Sequence, residues 1–129
     1  MSSWRRSFEM VTQELDLTKR KKQALDELLE KRRVSQLTYE HLAKTLTARL
    51  LELEAHQGSL AGKMTGRANE LDEQIGLFEL VLAYLEIRHV GREIDEEIYA
   101  KNKGTVTLGL EAARSELGVI RSSLTKILP

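Results

Sequence analysis

The chain has 129 residues, of which 31% are charged and 5% aromatic, and its 20 basic residues balance its 20 acidic ones. It contains no Cys, which excludes disulfides, zinc–thiolate sites and thiol nucleophiles. No apolar run approaches the ~20 residues that span a bilayer, and the N-terminal segment lacks the apolar core of a signal peptide. Leu, Glu, Arg, Lys and Ala dominate, which is typical of long helices. We therefore expect one all-α, cytoplasmic domain over residues 1–129.

The first predicted helix covers about residues 5–32. Its apolar residues alternate three and four apart, which is the spacing of a coiled-coil seam. The seam residues are Phe8, Val11, Leu15, Thr18, Lys22, Leu25 and Leu29. Because Thr18 and Lys22 are polar, we expect weaker pairing there.

The second and third predicted helices cover about residues 36–88 and 96–128. The second seam is Leu42, Leu46, Leu50, Leu53, Leu60, Met64, Arg67, Leu71, Ile75, Phe78, Leu82 and Leu85. The third seam is Tyr99, Lys103, Val106, Leu110, Ala113, Leu117, Ile120, Leu124 and Ile127. The same spacing runs through both, so both are predicted to pair as coiled coils.

Two similar turns separate the helices. Ser35 and Asp95 are natural N-caps, because their side-chain oxygens accept backbone N–H groups of the following turn. An apolar residue precedes each cap and a tyrosine follows it by four, which is the spacing of a hydrophobic staple. The two staples are Val34 with Tyr39 and Ile94 with Tyr99, offset by 60 residues. This duplication predicts two matching hairpins.

Folding the chain about the two turns predicts an elongated antiparallel coiled coil. Helix 1 would pack on the first half of helix 2 and helix 3 on its second half, so that two hairpins share a long central helix. The ends of helices 1 and 3 would then approach one another near its centre.

Three glycines, Gly58, Gly62 and Gly66, lie four apart at that centre. Each costs a helix about 1 kcal/mol relative to Ala. On one helix face they would permit close backbone approach, so we predict a helix crossing or a hinge. The alternative is a loop, which would turn the chain into a four-helix bundle.

Apolar residues beside the seams predict self-association. Leu51, Ile87 and Leu128 widen the apolar stripes beyond what one partner helix covers, and a second copy of the chain is the simplest cover. We expect a homodimer or a higher polymer.

No sequence motif predicts catalysis or a cofactor. There is no P-loop, dinucleotide-binding turn or nucleophile elbow. His41, His56 and His89 lie far apart, and a metal needs three or four convergent ligands. Neighbouring carboxylates such as Glu96 and Glu97 point to different helix faces. We expect no metal, no cofactor, no small-molecule substrate and no enzyme.

Basic residues are concentrated near the N-terminus, where residues 1–34 carry nine Lys or Arg against six Asp or Glu. The cluster Lys19, Arg20, Lys21 and Lys22 is either a solvated helical face or, with Arg5 and Arg6, a contact for anionic lipid or DNA phosphate. Trp4 is compatible with a seam cap, an interface anchor or a junction to a further domain.

The order of several landmarks resembles the coiled-coil region of the archaeal CdvA cell-division family. They are Trp4-Arg5, residues 17–25, Tyr39-Glu40, Arg67 with residues 70–74, and residues 93–97. In that family a PRC-type β-barrel precedes the coil, and a C-terminal peptide recruits the ESCRT-III-like protein CdvB. Both are absent from these 129 residues, which indicates an excised coil or a short homologue.

The resemblance implies a dimeric, filament-forming scaffold at an archaeal division site or the inner membrane surface, with affinity for DNA and membranes. Residues 75–124 are also similar to the steadiness box of ESCRT-I subunits, which would imply a hetero-oligomeric partner instead. A generic coiled-coil assembly protein without an ESCRT link is the third alternative.

Overall fold

Three helices form the part of the chain, residues 3–127, that the computed structural model describes. They are α1 (Ser3–Glu30), α2 (Gln36–Val90) and α3 (Glu96–Thr125), and these residues contain no strand. The predicted all-α class and the three helices are confirmed. The predicted bounds differ from the observed ones by three residues at most. Leu128, predicted to end the third helix and to lie beside its seam, falls outside the described residues.

The end of α1 shows why the bounds differ. The helix ends at Glu30 because Arg32 adopts a left-handed backbone conformation with φ of 59°. That conformation ends the i to i−4 pattern of backbone hydrogen bonds. The last carbonyls of the helix accept hydrogen bonds in a different pattern from the carbonyls inside it. The hydrophobic pattern, whose last seam residue is Leu29, does not reveal this helix end.

Two compact units divide the chain, the first ending at Lys63 and the second beginning at Met64. The helix α2 is unbroken across this division, so residues 36–63 belong to the first unit and residues 64–90 to the second. The expected single domain stays a prediction.

The first unit is an antiparallel pair of α1 and the N-terminal part of α2. Gln57 donates to Thr12 Oγ1 at 3.1 Å, whereas Arg49 donates to Glu14 Oε2 at 2.7 Å, so residue numbers rise on one helix as they fall on the other. An apolar core runs along this helix pair, since the long side chains gain roughly 1.5–3 kcal/mol each from burial. The core residues are Phe8, Val11, Leu15, Leu25, Leu53 and Leu60. All belong to the predicted seams.

Polar seam residues in this unit are satisfied locally. Thr18 is buried, and its hydroxyl donates to the backbone carbonyl of Glu14 at 2.8 Å. Its polarity therefore leaves no unpaired donor in the core. Leu42, predicted in the seam, is instead exposed, with 44% of its surface accessible.

The second unit is an antiparallel pair of the C-terminal part of α2 and α3. Its core is nearly continuous, and Met64, Leu71 and Ile120 are its most completely buried side chains. The other core residues are Ala68, Leu85, Tyr99, Leu110, Ala113 and Leu117. Here too the seam pattern places the core, with the exception of Ala68.

Candidate functional site

Both hairpins carry a similar polar cluster of an acid, a tyrosine and a lysine next to the turn. In the first unit Asp26 accepts a hydrogen bond from the Tyr39 hydroxyl at 2.7 Å and another from Lys22 Nζ at 2.7 Å. In the second unit Glu86 accepts from the Tyr99 hydroxyl and lies 3.3 Å from Lys103 Nζ. The acid and the tyrosine are offset by 60 residues between the clusters, as the staples are.

These contacts hold the carboxylates in their charged form. Hydrogen bonds from Lys22 and then Tyr39 lower the pKa of Asp26 below its ordinary 3.8. Bonds from the Tyr99 hydroxyl and Lys103 likewise lower the pKa of Glu86 below 4.5. Bonds to Asp26 and then Tyr39 raise the pKa of Lys22 above its ordinary 10.5, and bonds to Tyr99 and then Glu86 raise that of Lys103. At neutral pH the carboxylate and the lysine of each cluster are therefore charged and paired with each other.

The predicted caps and staples lie at the two turns. The Thr38 backbone N–H donates to Ser35 Oγ at 3.1 Å, and the Ile98 N–H donates to Asp95 Oδ1 at 2.8 Å. The staple residues Val34, Tyr39 and Ile94 are half-buried, and Tyr99 is buried.

His89 adds a contact that the first turn lacks. Its ring stacks on Tyr99 with centroids 3.8 Å apart, and its Nε2 lies 2.6 Å from Glu96 Oε2. The histidine is therefore fixed between an aromatic ring and a carboxylate at the start of α3. His41 and His56 are exposed, and no group of three or more His, Asp or Glu residues within 3–127 has the geometry of a metal site.

Each turn closes in the same backbone motif, which the sequence did not predict. The N–H of Arg33 donates to the Leu28 carbonyl and that of Arg32 to the Leu29 carbonyl, which is a Schellman ending. The second turn repeats it, and Arg92 has a φ of 59° like Arg32. Glycine usually occupies such a position, because other residues are strained there. Arginine in its place hides the motif from sequence inspection.

The predicted basic patch is partly neutralised by its own helix. Arg5 lies 3.4 Å from Glu9, Arg20 lies 2.9 Å from Asp16, and Lys22 is held by Asp26. The remaining members of the patch are Arg6, Lys19 and Lys21, all exposed. Its contact with anionic lipid or DNA stays a prediction, as does the role of the half-buried Trp4.

The three central glycines lie in open space. The helix α2 runs through Gly58, Gly62 and Gly66, and a Cβ added to any of them would have no heavy atom within 4 Å beyond the local helix backbone. The alternative loop, with a four-helix bundle, is therefore not observed. The crossing or hinge stays a prediction.

A different glycine makes the close approach. A Cβ on Gly109 of α3 would lie 2.9 Å from Phe78 Cζ and 3.2 Å from its Cε1. The phenylalanine ring therefore packs directly on the α3 backbone, where any side chain would displace it. Sequence inspection missed Gly109 because one isolated glycine gives no pattern. Its alignment with Phe78 about the second turn was the available signal.

Arg67, a polar residue in the second seam, forms an ion pair with Glu116 of α3. Its Nε donates to Glu116 Oε2 at 2.7 Å and its Nη2 to Oε1 at 3.1 Å, a two-point contact between α2 and α3. This contact lowers the pKa of Glu116 below 4.5 and raises that of Arg67. Such bidentate pairs fix geometry as well as adding energy. Arg67 thus sets the register of the hairpin.

A set of exposed apolar side chains follows the C-terminal part of α2. We call it the outer stripe, and its members are Leu77, Leu80, Val81, Tyr84, Ile87 and Val90. Their exposed fractions range from 43% for Val81 to 79% for Val90. Only Ile87 was singled out by the sequence, as a residue beside the seam. Patches of this kind mark sites of interaction.

The chain forms two antiparallel helical hairpins on heptad seams, with paired polar residues and an exposed apolar stripe. These features define a coiled-coil protein. No helix within the described residues is long and apolar enough to cross a membrane. The chain belongs to the CdvA-like coiled-coil domain family, which matches residues 3–128. The sequence-based recognition of this family is confirmed.

Among curated proteins, the chain is similar to Cell division protein A of Sulfolobus acidocaldarius. The two are 22% identical over 127 residues, which cover 98% of this chain and 53% of the relative. The chain thus spans about half the length of that protein. No solved structure matches this chain of 129 residues.

Proposed function

We propose that this protein is a non-enzymatic coiled-coil scaffold that self-associates and supports ESCRT-III-linked cell division or membrane remodelling in an archaeon. The observation that carries the proposal is the match to Cell division protein A of an archaeon along 98% of the chain. A match spread over the whole chain places the likeness in the helical hairpins themselves. The proposal gives these hairpins the cell-division role that the relative's name states.

The side-chain chemistry supports a role in assembly over one in catalysis. The groove between α1 and α2 is bridged by Glu14 and Arg49, which pair with each other at 2.7 Å. The charged clusters at the turns are likewise paired, with pKa values shifted away from neutrality. A general acid or base needs a pKa near the working pH. These groups hold helices together.

The outer stripe supports the self-association part of the proposal. Its apolar side chains are exposed in the single chain, and covering them removes apolar surface from water. A cytoplasmic scaffold at the division site or inner membrane surface would use such a face for assembly. Lipid contact by the basic patch is a further part of the proposal.

Size exclusion with multi-angle light scattering tests the proposal, first on the chain alone and then with an archaeal ESCRT-III-like protein. We expect the chain alone to elute as a dimer or larger species whose mass rises with concentration. An added ESCRT-III-like protein is expected to co-elute with it if the recruiting surface lies within these residues. A chain that remains monomeric at every concentration would contradict the scaffold.

Vesicle co-sedimentation tests the membrane part separately. Binding to anionic vesicles should fall steeply with salt and with charge reversal of Lys19 and Lys21, because exposed charge pairs are screened. Reversal of Lys101, an exposed lysine of α3 outside the basic patch, should matter less and is the matched control. Salt-independent binding would contradict a role of the basic patch.

A further inference from the structure

The outer stripe has the spacing of a second coiled-coil seam. Leu77, Leu80, Tyr84 and Ile87 follow one another at intervals of three, four and three residues. This register is displaced by two residues from the seam that faces α3. At 3.6 residues per turn, two residues correspond to about 200°, so the two seams lie on opposite sides of α2.

The flanks of the outer stripe are unusually free of charge. Between Gln74 and Leu85 the only charged residue is Glu79, which lies 3.8 Å from Arg114 of α3. A helix that is apolar nearly all round is normally buried. In the described chain α3 covers one side only, so the other side needs a further partner.

We infer that the outer stripe is the interface for a second copy of this chain, packed antiparallel on α2. The inference rests on the proposed self-associating function and assigns it to a surface. The pairing is centred at residue 82, which brings Leu77 of each copy against Ile87 of the other and Leu80 against Tyr84. In an antiparallel coiled coil such pairs form the layers of the core.

The area of the outer stripe suits a two-fold dimer. The exposed surface of its six side chains amounts to roughly 600–700 Å² per chain. This area exceeds that of the largest apolar patch on a typical monomer. Two stripes that cover each other would bury on the order of 1,300 Å², within the range of specific interfaces. The self-complementary contacts are those that a two-fold axis generates.

Charge at the ends of the outer stripe selects the antiparallel orientation. Glu73 lies one turn before Leu77, and Arg92 follows the end of α2; neither takes part in an ion pair within residues 3–127. With the centre at residue 82, Glu73 of one copy lies near Arg92 of the other at both ends. Parallel pairing would bring like charges together instead, which is unfavourable.

A matched pair of variants tests the surface. Leu80 and Leu37 are exposed leucines of the same helix, at 65% and 79% exposure, but only Leu80 belongs to the outer stripe. We expect L80E to raise the dimer dissociation constant at least about thirtyfold, the effect of losing a central interface residue. L37E should leave the dimer dissociation constant unchanged. Helical circular dichroism and melting of each variant exclude loss of the fold as the cause.

Single cysteines test the orientation, because the chain contains none of its own. In the antiparallel dimer two Leu77 positions are about 15 Å apart along the axis, since ten residues separate 77 from 87 at ~1.5 Å each. That is beyond disulfide reach. We expect oxidised L77C to remain uncrosslinked alone and to crosslink when mixed with I87C. Crosslinking of L77C with itself would indicate a parallel pair and overturn the inference.

The outcomes separate this inference from the proposed function. A wild-type dimer that survives L80E overturns the stripe as interface but leaves the scaffold intact. A wild-type chain that never associates overturns both. Reduced vesicle binding by L80E with an unchanged dimer would assign the stripe to lipid, and this too overturns the inference.

Discussion

Replacement of Gly109 by Ala isolates the close contact between α3 and Phe78. Ala is favoured over Gly in a helix interior by about 1 kcal/mol. The new Cβ would however lie 2.9 Å from Phe78 Cζ, whereas carbon atoms prefer about 3.5–4.0 Å. Overpacking of this kind costs about 1–3 kcal/mol. We therefore expect G109A to lower the free energy of unfolding by up to about 2 kcal/mol despite its better propensity.

Gly118 provides the matched control on the same helix. A Cβ there meets no heavy atom within 4 Å beyond the local backbone, so G118A should stabilise the chain by about 1 kcal/mol. Urea unfolding followed by helical circular dichroism measures both variants. In an F78L background, which removes the ring, the cost of G109A should shrink. A G109A variant as stable as G118A would refute the close packing of Phe78.

Four further predictions concern the turns, the ion pair and the central glycines. Arg92→Gly should raise the melting temperature, because the left-handed backbone conformation costs about 1 kcal/mol for arginine and little for glycine. Asp95→Ala should cost about 1 kcal/mol in urea unfolding, since the N-cap of α3 is lost. The pKa of Glu116 is lowered by Arg67 in the folded chain, so its contribution is present at neutral pH and is lost as pH falls below 4.5; Glu116→Gln should flatten this acid dependence of the melting temperature. Gly62→Ala should stabilise α2 by about 1 kcal/mol in thermal melting, because the site is open.

Distinct results would contradict each of these. A lower melting temperature for R92G would mean that the arginine side chain contributes more than the backbone strain. An unchanged D95A would show that the cap is dispensable. An acid profile of E116Q equal to that of the wild type would place the acid-sensitive contact elsewhere. Loss of self-association in G62A would indicate that a second chain crosses there.

The heptad period of the sequence predicted the cores of the hairpins well, because it indicates which residues face a partner helix. Phe8 and Leu117 are buried for that reason. It could not predict Gly109, since the approach of a ring to a backbone depends on the rotation of both helices. Nor could it predict the strained turn at Arg32, where the motif lacks its usual glycine.

The outer stripe was only partly predicted from the sequence. Its members follow the same period as the inner seam, two residues out of phase, so a search for a second register would have found them. The sequence pattern singled out Ile87 alone, because the other apolar residues of this region were interpreted through the seam that faces α3. The Tyr39–Asp26 pair could have been found by aligning residues about the first turn.

The placement of the polar clusters beside the turns has a consequence for the order of folding. The Tyr39–Asp26 and Tyr99–Glu86 bonds each join residues 13 apart, whereas the Arg67–Glu116 pair joins residues 49 apart. Loop-closure entropy rises with the length of chain enclosed, so the turn clusters are the cheaper contacts to form first. Each hairpin then closes progressively from its turn towards the far ends of its arms, with the long-range ion pair among the last contacts made.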